Sequence, residues 1–405
     1  MKKYLILVVS WLLLGSGQLV KEASDNVWVL PCTELLENYQ DFPAKEWNEV
    51  VLGKGETEHL QVVLNTIPKE KITISSSIPE AFNVHYRMLT DIDGYKDALV
   101  PFVSTIQATG STSVVWLTFE TPRNSQPGTY EYTVSIKTLR NSINLKFKVR
   151  VADYEIPLTP SIPSEFCIDI DNLPDNGSDE QKELWNEFLL SRRIDPYYGK
   201  LIDRNTWRWD NCFSPWPWDD PRSRKLLQDK RFCRFALPCM LEDDELLRMC
   251  NDMEEKGYFD RCYFYIWDEP KTPEHYEQIA KESAHILSLK PNAKMLVPIS
   301  SFLVEGEHKW DYDYTFDFLT KYVKIFPIAA EQYNCENSGA EKFRQLVEPR
   351  AEWWTYVCCG PTGVQPNFLF AQTPFHNRAI MWRVWKEQET GFLYWGVNRY
   401  RLNPF

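Results

Sequence analysis

Tyr263-Phe264-Tyr265-Ile266-Trp267-Asp268-Glu269-Pro270 opens apolar and aromatic and ends on two adjacent carboxylates and a proline. Five apolar residues in a row read as a strand buried on both faces, the pattern of a parallel sheet. Carboxylates at the end of such a strand are costly to bury and mark a candidate acid/base pair at the mouth of a sheet or barrel. Proline after Glu269 favours an extended backbone there. The competing structural role is an N-cap for a helix beginning near Pro273.

Outward from this stretch, strand and helix alternate. Eight strand segments are expected at residues 165–170, 194–198, 235–240, 263–267, 294–299, 325–330, 353–358 and 391–397. Amphipathic helices are expected at 180–192, 242–256, 273–289 and 373–386, with Asp243 and Asp244 favouring the dipole of the second. Eight such steps over about 240 residues suit a (β/α)8 TIM-like barrel. Asp268 and Glu269 then lie at the C-terminal end of strand four, the face where barrel enzymes place their sites. The rival is an open doubly wound sheet, weakened because no glycine-rich phosphate loop follows any strand.

Residues 24–157 read differently. Short alternating segments such as Tyr130-Glu131-Tyr132-Thr133-Val134-Ser135-Ile136 are separated by turns such as Gln126-Pro127-Gly128. That pattern predicts an antiparallel β-sandwich. The proline-rich stretch from Ile156 to Pro163 is a stiff connector. Residues 158–405 form the barrel, so the fold class is multidomain, β plus α/β. Only seven residues follow Asn398, leaving no room for an eighth helix. Residues 1–23 have the basic, apolar, small pattern of a signal peptide. The expected location is secreted or periplasmic, with no stable membrane span after cleavage.

The 405-residue chain has a net charge of −12 and no basic cluster, which argues against a nucleic-acid partner. Aromatic content is 14%, enough for a large core and for stacking on sugars. Six histidines show no HxH or HExxH spacing and ten cysteines no CxxC pair, so no metal or other cofactor is expected. Cys358 and Cys359, on a predicted strand, are expected to face opposite sides as core thiols.

A two-carboxylate retaining glycosidase needs a second carboxyl about 5 Å across the site. Strand seven, Trp353-Trp354-Thr355-Tyr356-Val357-Cys358-Cys359-Gly360-Pro361, supplies none. The nearest alternative is Glu331 after strand six. Without a protein nucleophile, a substrate's own 2-acetamido oxygen can attack the anomeric carbon. Adjacent carboxyls suit that division of labour. One orients the amide and the other moves the proton.

These residues carry a resemblance. Tyr265-Ile266-Trp267-Asp268-Glu269-Pro270, the strand-seven segment, Pro366-Asn367-Phe368 and Gly391-Phe392-Leu393-Tyr394-Trp395-Gly396-Val397-Asn398 resemble glycoside hydrolase family 123 and its broad relatives. In the front domain, Gly55-Glu56 and Pro127-Gly128-Thr129-Tyr130 are similar too. The resemblance implies a β-sandwich followed by a (β/α)8 barrel. It also implies an exo-acting N-acetyl-β-galactosaminidase that retains configuration by substrate assistance on a glycan or glycoconjugate. By position, Asp268 orients the acetamido group and Glu269 is the acid/base. Relatives usually continue beyond the Tyr394-Trp395 strand, and this chain stops at Phe405. Tyr333, Trp354, Tyr356 and Trp395 are candidates for an aromatic sugar platform, and Asn334, Asn367 and Asn398 for hydroxyl binding. The alternatives are a hydrolase of another glycoside using Glu331, and a decayed barrel that only binds glycans.

Overall fold

The computed structural model describes residues 27–399, apart from 46, 78, 93–94, 103–104, 140–141, 204–207, 301–311, 334–338 and 370–371. The expected signal segment and Asn334 lie outside the described residues. The chain divides into two compact units, residues 27–31, 38–90 and 98–153, and residues 32–37, 91–97 and 154–399.

Among the described residues the first unit carries ten strands. They are β1 (Val27–Pro31), β2 (Glu49–Lys54), β3 (Thr57–Asn65), β4 (Lys71–Ser77), β5 (Asn83–Ile92), β6 (Tyr95–Pro101), β7 (Thr105–Gln107), β8 (Thr112–Glu120), β9 (Gly128–Lys137) and β10 (Ser142–Glu155). Two five-stranded sheets result, in the orders β1-β3-β8-β5-β6 and β2-β10-β9-β4-β7. Alternation sets their faces. In β10, Ile143, Leu145, Phe147, Val149 and Val151 are buried while Lys146, Lys148 and Arg150 point outward. Both sheets feed one core, in which Phe82, Phe119, Tyr132 and Phe147 meet at 5.7–6.2 Å between ring centres. Aromatic pairs of this kind contribute about 0.5–1.5 kcal/mol each beyond their burial.

The second unit has all eight expected strands: β11 (Ser164–Ile168), β12 (Asp195–Asp203), then β14 (Phe235–Leu237), β15 (Cys262–Tyr265), β16 (Met295–Leu296), β17 (Ile325–Ala329), β18 (Glu352–Val357) and β19 (Gly391–Tyr394). They pair in parallel wherever they are neighbours. A ninth strand, β13 (Arg208–Cys212), departs from the expected eightfold pattern. It returns antiparallel to β12 and occupies the seam between β12 and β14. Across that seam Phe213 N–H donates to Ala236 O at 2.7 Å, so the nine-stranded sheet is a nearly closed, barrel-like sheet. At the hairpin Gly199 faces Asn211. A methyl there would sit 2.7 Å from the Asn211 amide oxygen, so a larger residue would have to move that side chain.

Helices follow the strands: the short α1 (Pro174–Gly177), α2 (Asp179–Leu190), α3 (Pro221–Gln228), α4 (Asp243–Glu255), α5 (Pro273–Leu289), α6 (Tyr312–Leu319), α7 (Gly339–Val347) and α8 (Pro374–Lys386). The strands are buried on both faces, as their unbroken apolar runs require. Phe264, Phe326 and Trp353 face one core with α4, α5 and α7. Cys167, Tyr197, Tyr263, Tyr265, Trp354, Tyr356 and Leu393 form a separate cluster on the other face. No helix among the described residues is long and apolar enough to cross a membrane.

Glu165 and Asp195 are among the acids buried in this unit. Neither carboxyl has an ion-pair partner at close range among the described residues, and Asp195 Oδ1 accepts from Cys233 N–H at 2.8 Å. Burial first, then the neighbouring Asp195, holds Glu165 well above the carboxylate range. Burial raises Asp195 to about 8, against opposing backbone hydrogen bonds. An acid raised in the folded state stabilises fully below its ordinary pKa, and that contribution is lost as pH climbs through the folded value. Thermal unfolding should therefore show stability falling between pH 4 and 8 on account of Asp195. Asp195→Asn should flatten that decline and raise Tm at pH 8 by about 2–4 °C.

Candidate active site

β15 ends at Tyr265, and the chain turns within four residues. Adjacent side chains on a strand diverge. Here Glu269 takes φ +46°, in the left-handed region. The extended conformation expected before Pro270 is not adopted, and such a residue costs about 1–3 kcal/mol. The kink brings Asp268 and Glu269 together into the wall of one cavity of about 450 Å³. Neither caps α5. Its cap is Thr272, whose hydroxyl accepts from His275 N–H at 3.3 Å, with Pro273 in the first turn.

Each carboxyl is held by a tyrosine. Tyr265 OH donates to Asp268 Oδ1 at 2.9 Å, and Tyr356 OH donates to Glu269 Oε1 at 2.5 Å. Burial keeps both phenols well above their ordinary pKa, so they remain donors. Asp268 is pushed up to about 7, by burial first and by the charge of Glu269 second, while the Tyr265 hydrogen bond and Lys271 oppose the rise. Asp268 therefore takes up a proton near neutrality. Removing the phenol should raise Asp268 further. If ionised Asp268 is required, Tyr265→Phe should move the acidic limb of the kcat/KM profile upward by about one pH unit.

Of the other expected site residues, Tyr356 and Trp395 line the cavity, and Trp395 is 37% exposed. Four do not. Tyr333 is buried in the core shared with α7, its hydroxyl bonded to Thr355 Oγ1 and Glu389. Trp354 is fully buried, with its ring packed where a side chain on Gly391 would otherwise stand and its Nε1 on Glu352. Asn367 spends its amide on Cys358 O, Pro361 O and Phe368 N–H. Asn398 pairs with both backbone groups of Asp169. These asparagines pin loops, with no polar atom left over for a sugar.

Glu331 is exposed in a turn after β17, its carboxyl against Gly360, and does not line the cavity. Asp268 and Glu269 are the cavity's two carboxylates among the described residues.

Sequence reading missed several lining residues. Tyr197 and Tyr265 were signalled by inward alternation, but Trp209 and Asn211 come from the unexpected β13. Arg399 lies 5.2 Å from the Trp395 ring centre and 5.6 Å from that of Trp209. Lys271 and His275 complete the rim, with burial lowering the His275 pKa. Cys358 and Cys359 do not face opposite sides. β18 has ended at Val357, and both line the cavity. Among the described residues no group of three or more His, Cys, Asp and Glu side chains is placed to hold a metal ion.

Residues 242–405, which include the carboxylate pair, match the model described as glycoside hydrolase 123, catalytic domain. A solved family 123 glycoside hydrolase from Clostridium perfringens, described in terms of glycolipid glycan hydrolysis, shares the fold at TM-score 0.54 and 15% identity, over 91% of this chain and 78% of that one. A β-D-glucuronidase from Dictyoglomus thermophilum (TM-score 0.32, 8% identity, 93% and 91% covered) and a GH2 β-galacturonidase from Eisenbergiella tayi (0.32, 10%, 84% and 61%) are too distant to carry argument. No curated protein matches the chain. Residues 242–405 thus match the catalytic domain of glycoside hydrolase family 123, and that match makes the chain a glycosidase.

Proposed function

We propose that this chain is an exported β-N-acetylhexosaminidase, of N-acetylgalactosaminidase type, that retains configuration by substrate assistance. The nearly closed sheet then serves as a (β/α)8 barrel whose seam is filled by β13. The observation that carries the reading is one cavity with two adjacent carboxyls, each fixed by a phenol, and no third carboxylate among its described lining residues.

Glu269, in its protonated form, gives its proton to the leaving oxygen. The 2-acetamido oxygen attacks the anomeric carbon while Asp268 accepts the amide N–H and stabilises the positive charge that develops on the ring closed by that attack. Ionised Glu269 then takes a proton from the water that reopens the ring, and the two inversions leave configuration retained. In the empty site Asp268, raised to about 7, carries a proton near neutrality. An amide N–H donated to Asp268 favours its anion and frees that proton for Glu269. A hydrolase relying on Glu331 draws no support from that residue's position against Gly360.

The test is turnover of two aryl β-galactosides that differ only at C2. The 2-acetamido substrate should be hydrolysed and the 2-hydroxy substrate should be slower by about 10³-fold or more, since the amide is both nucleophile and ligand. Comparable rates would remove substrate assistance. Glycan binding without turnover of either would leave a binding protein.

A further inference from the structure

The proposed mechanism makes no use of Cys358 and Cys359. Both are free thiols lining the cavity, and their sulfurs lie 3.9 Å apart. Cys359 is exposed and Cys358 half-buried. Cys358 packs against the same inner cluster as Tyr356, two residues earlier, whose hydroxyl holds Glu269. The dithiol therefore stands one side chain away from a candidate catalytic carboxyl. The backbone around it is fixed. Cys358 N–H donates to Gly360 O at 2.9 Å, and Cys358 O accepts from Asn367 Nδ2 at 3.1 Å.

Consecutive Cα atoms across a trans peptide are about 3.8 Å apart, short of the roughly 4.4 Å at which ordinary disulfides begin. A bond between neighbouring cysteines is therefore strained, and strained, exposed disulfides are the easily reduced ones. That property suits a reversible element rather than a structural staple.

We propose that Cys358 and Cys359 form a reversible thiol–disulfide switch in the wall of the glycan cavity, oxidised by a low-molecular-weight disulfide of the glutathione class and reset by the matching thiol. The exposed Cys359 thiolate attacks one sulfur of the oxidant, the oxidant's S–S bond breaks, and one small thiolate leaves. Cys358 then attacks Cys359 Sγ in the mixed disulfide and expels the second. The two protons lost by the cysteines end on the two released thiols, so two protein thiols are oxidised and one small disulfide is reduced. Burial pushes the Cys358 thiol up to about 12, which makes it the resolving rather than the attacking partner. Closing the sulfurs from 3.9 Å to a bond of about 2 Å pulls the wall behind Tyr356 and disturbs its hold on Glu269. The effect on turnover rests on the proposed glycosidase reading. Formation of the bond does not.

The experiment equilibrates the whole protein with oxidised glutathione, blocks remaining thiols and digests with trypsin. Peptide 351–378 contains Cys358 and Cys359 and no other cysteine. The unblocked peptide should be about 2 Da lighter than its dithiol form, and dithiothreitol should reverse the change. Cys359→Ser should abolish both the mass change and any redox dependence of turnover. Turnover of the 2-acetamido substrate should fall about fivefold or more on oxidation and return on reduction. The switch is overturned if both thiols stay open to alkylation, if only a mixed disulfide forms, or if the bond forms and the oxidised-to-reduced turnover ratio is one. If reduced protein turns over no 2-acetamido substrate, the glycosidase reading fails, and the peptide mass alone decides whether the bond forms.

Discussion

Glu269→Gln should lower kcat for an N-acetyl-β-galactosaminide with a poor leaving group by about 10³-fold. The amide keeps the size of the carboxyl and can still accept from Tyr356 OH, so folding is unaffected and Tm should stay within about 2 °C of the parent. What is lost is a proton that can be given and taken back. The leaving group makes the test specific. Phenyl or alkyl aglycones need protonation as the bond breaks, whereas a nitrophenolate departs with little help. The deficit should therefore shrink as the aglycone's acidity rises. A deficit independent of aglycone would mean Glu269 positions the substrate without transferring a proton.

Asp268→Asn should reduce kcat by about 10²- to 10³-fold, whatever the leaving group. Its effect falls on the charge that develops at the acetamido group, which an Asn carbonyl stabilises less than a carboxylate does. The variant carries a second signature. Asp268 is pushed to about 7, so kcat/KM of the parent should decline as pH falls through that value and the carboxyl takes up a proton. In the Asn variant that acidic limb should be absent. Loss of rate with the limb unchanged would assign the ionisation to another group.

Much of the second unit was legible because its strands announce themselves. Phe264 and Phe326 on one face, Tyr263 and Tyr265 on the other, leave no polar residue to mislead, and β15 and β17 are apolar throughout. β13 was hidden for the opposite reason. Arg208-Trp209-Asp210-Asn211-Cys212 has no β-branched residue, and its Asn211 packs close against Gly199 of β12. Trp354 and Tyr356 share one face of β18, but sharing a face does not set depth. Trp354 is packed against the position of Gly391, and Tyr356, one repeat further on, reaches the carboxyl. Tyr333 follows a 3-10 turn that directs it into the helix-facing core, a rotation no strand pattern encodes. Asn367 and Asn398 read as sugar ligands because free amides in loops are versatile. Their partners are backbone groups of Pro361 and Asp169, distant in the case of Asn398, and only the folded loop shows that they are already used. The conjunction of Asp268 and Glu269 was legible as a pair. The left-handed backbone at Glu269 that lets both line one cavity was not, because Pro270 argues for an extended residue there.

The division of labour between the two carboxyls is tested most directly by calorimetric binding of the N-acetylgalactosamine thiazoline, a stable mimic of the ring formed by acetamido attack. The parent protein should bind it in the micromolar range or tighter, and Asp268→Asn should weaken binding by about 100-fold. No binding to the parent, or equal binding to both proteins, would contradict the assignment of Asp268 to the acetamido group.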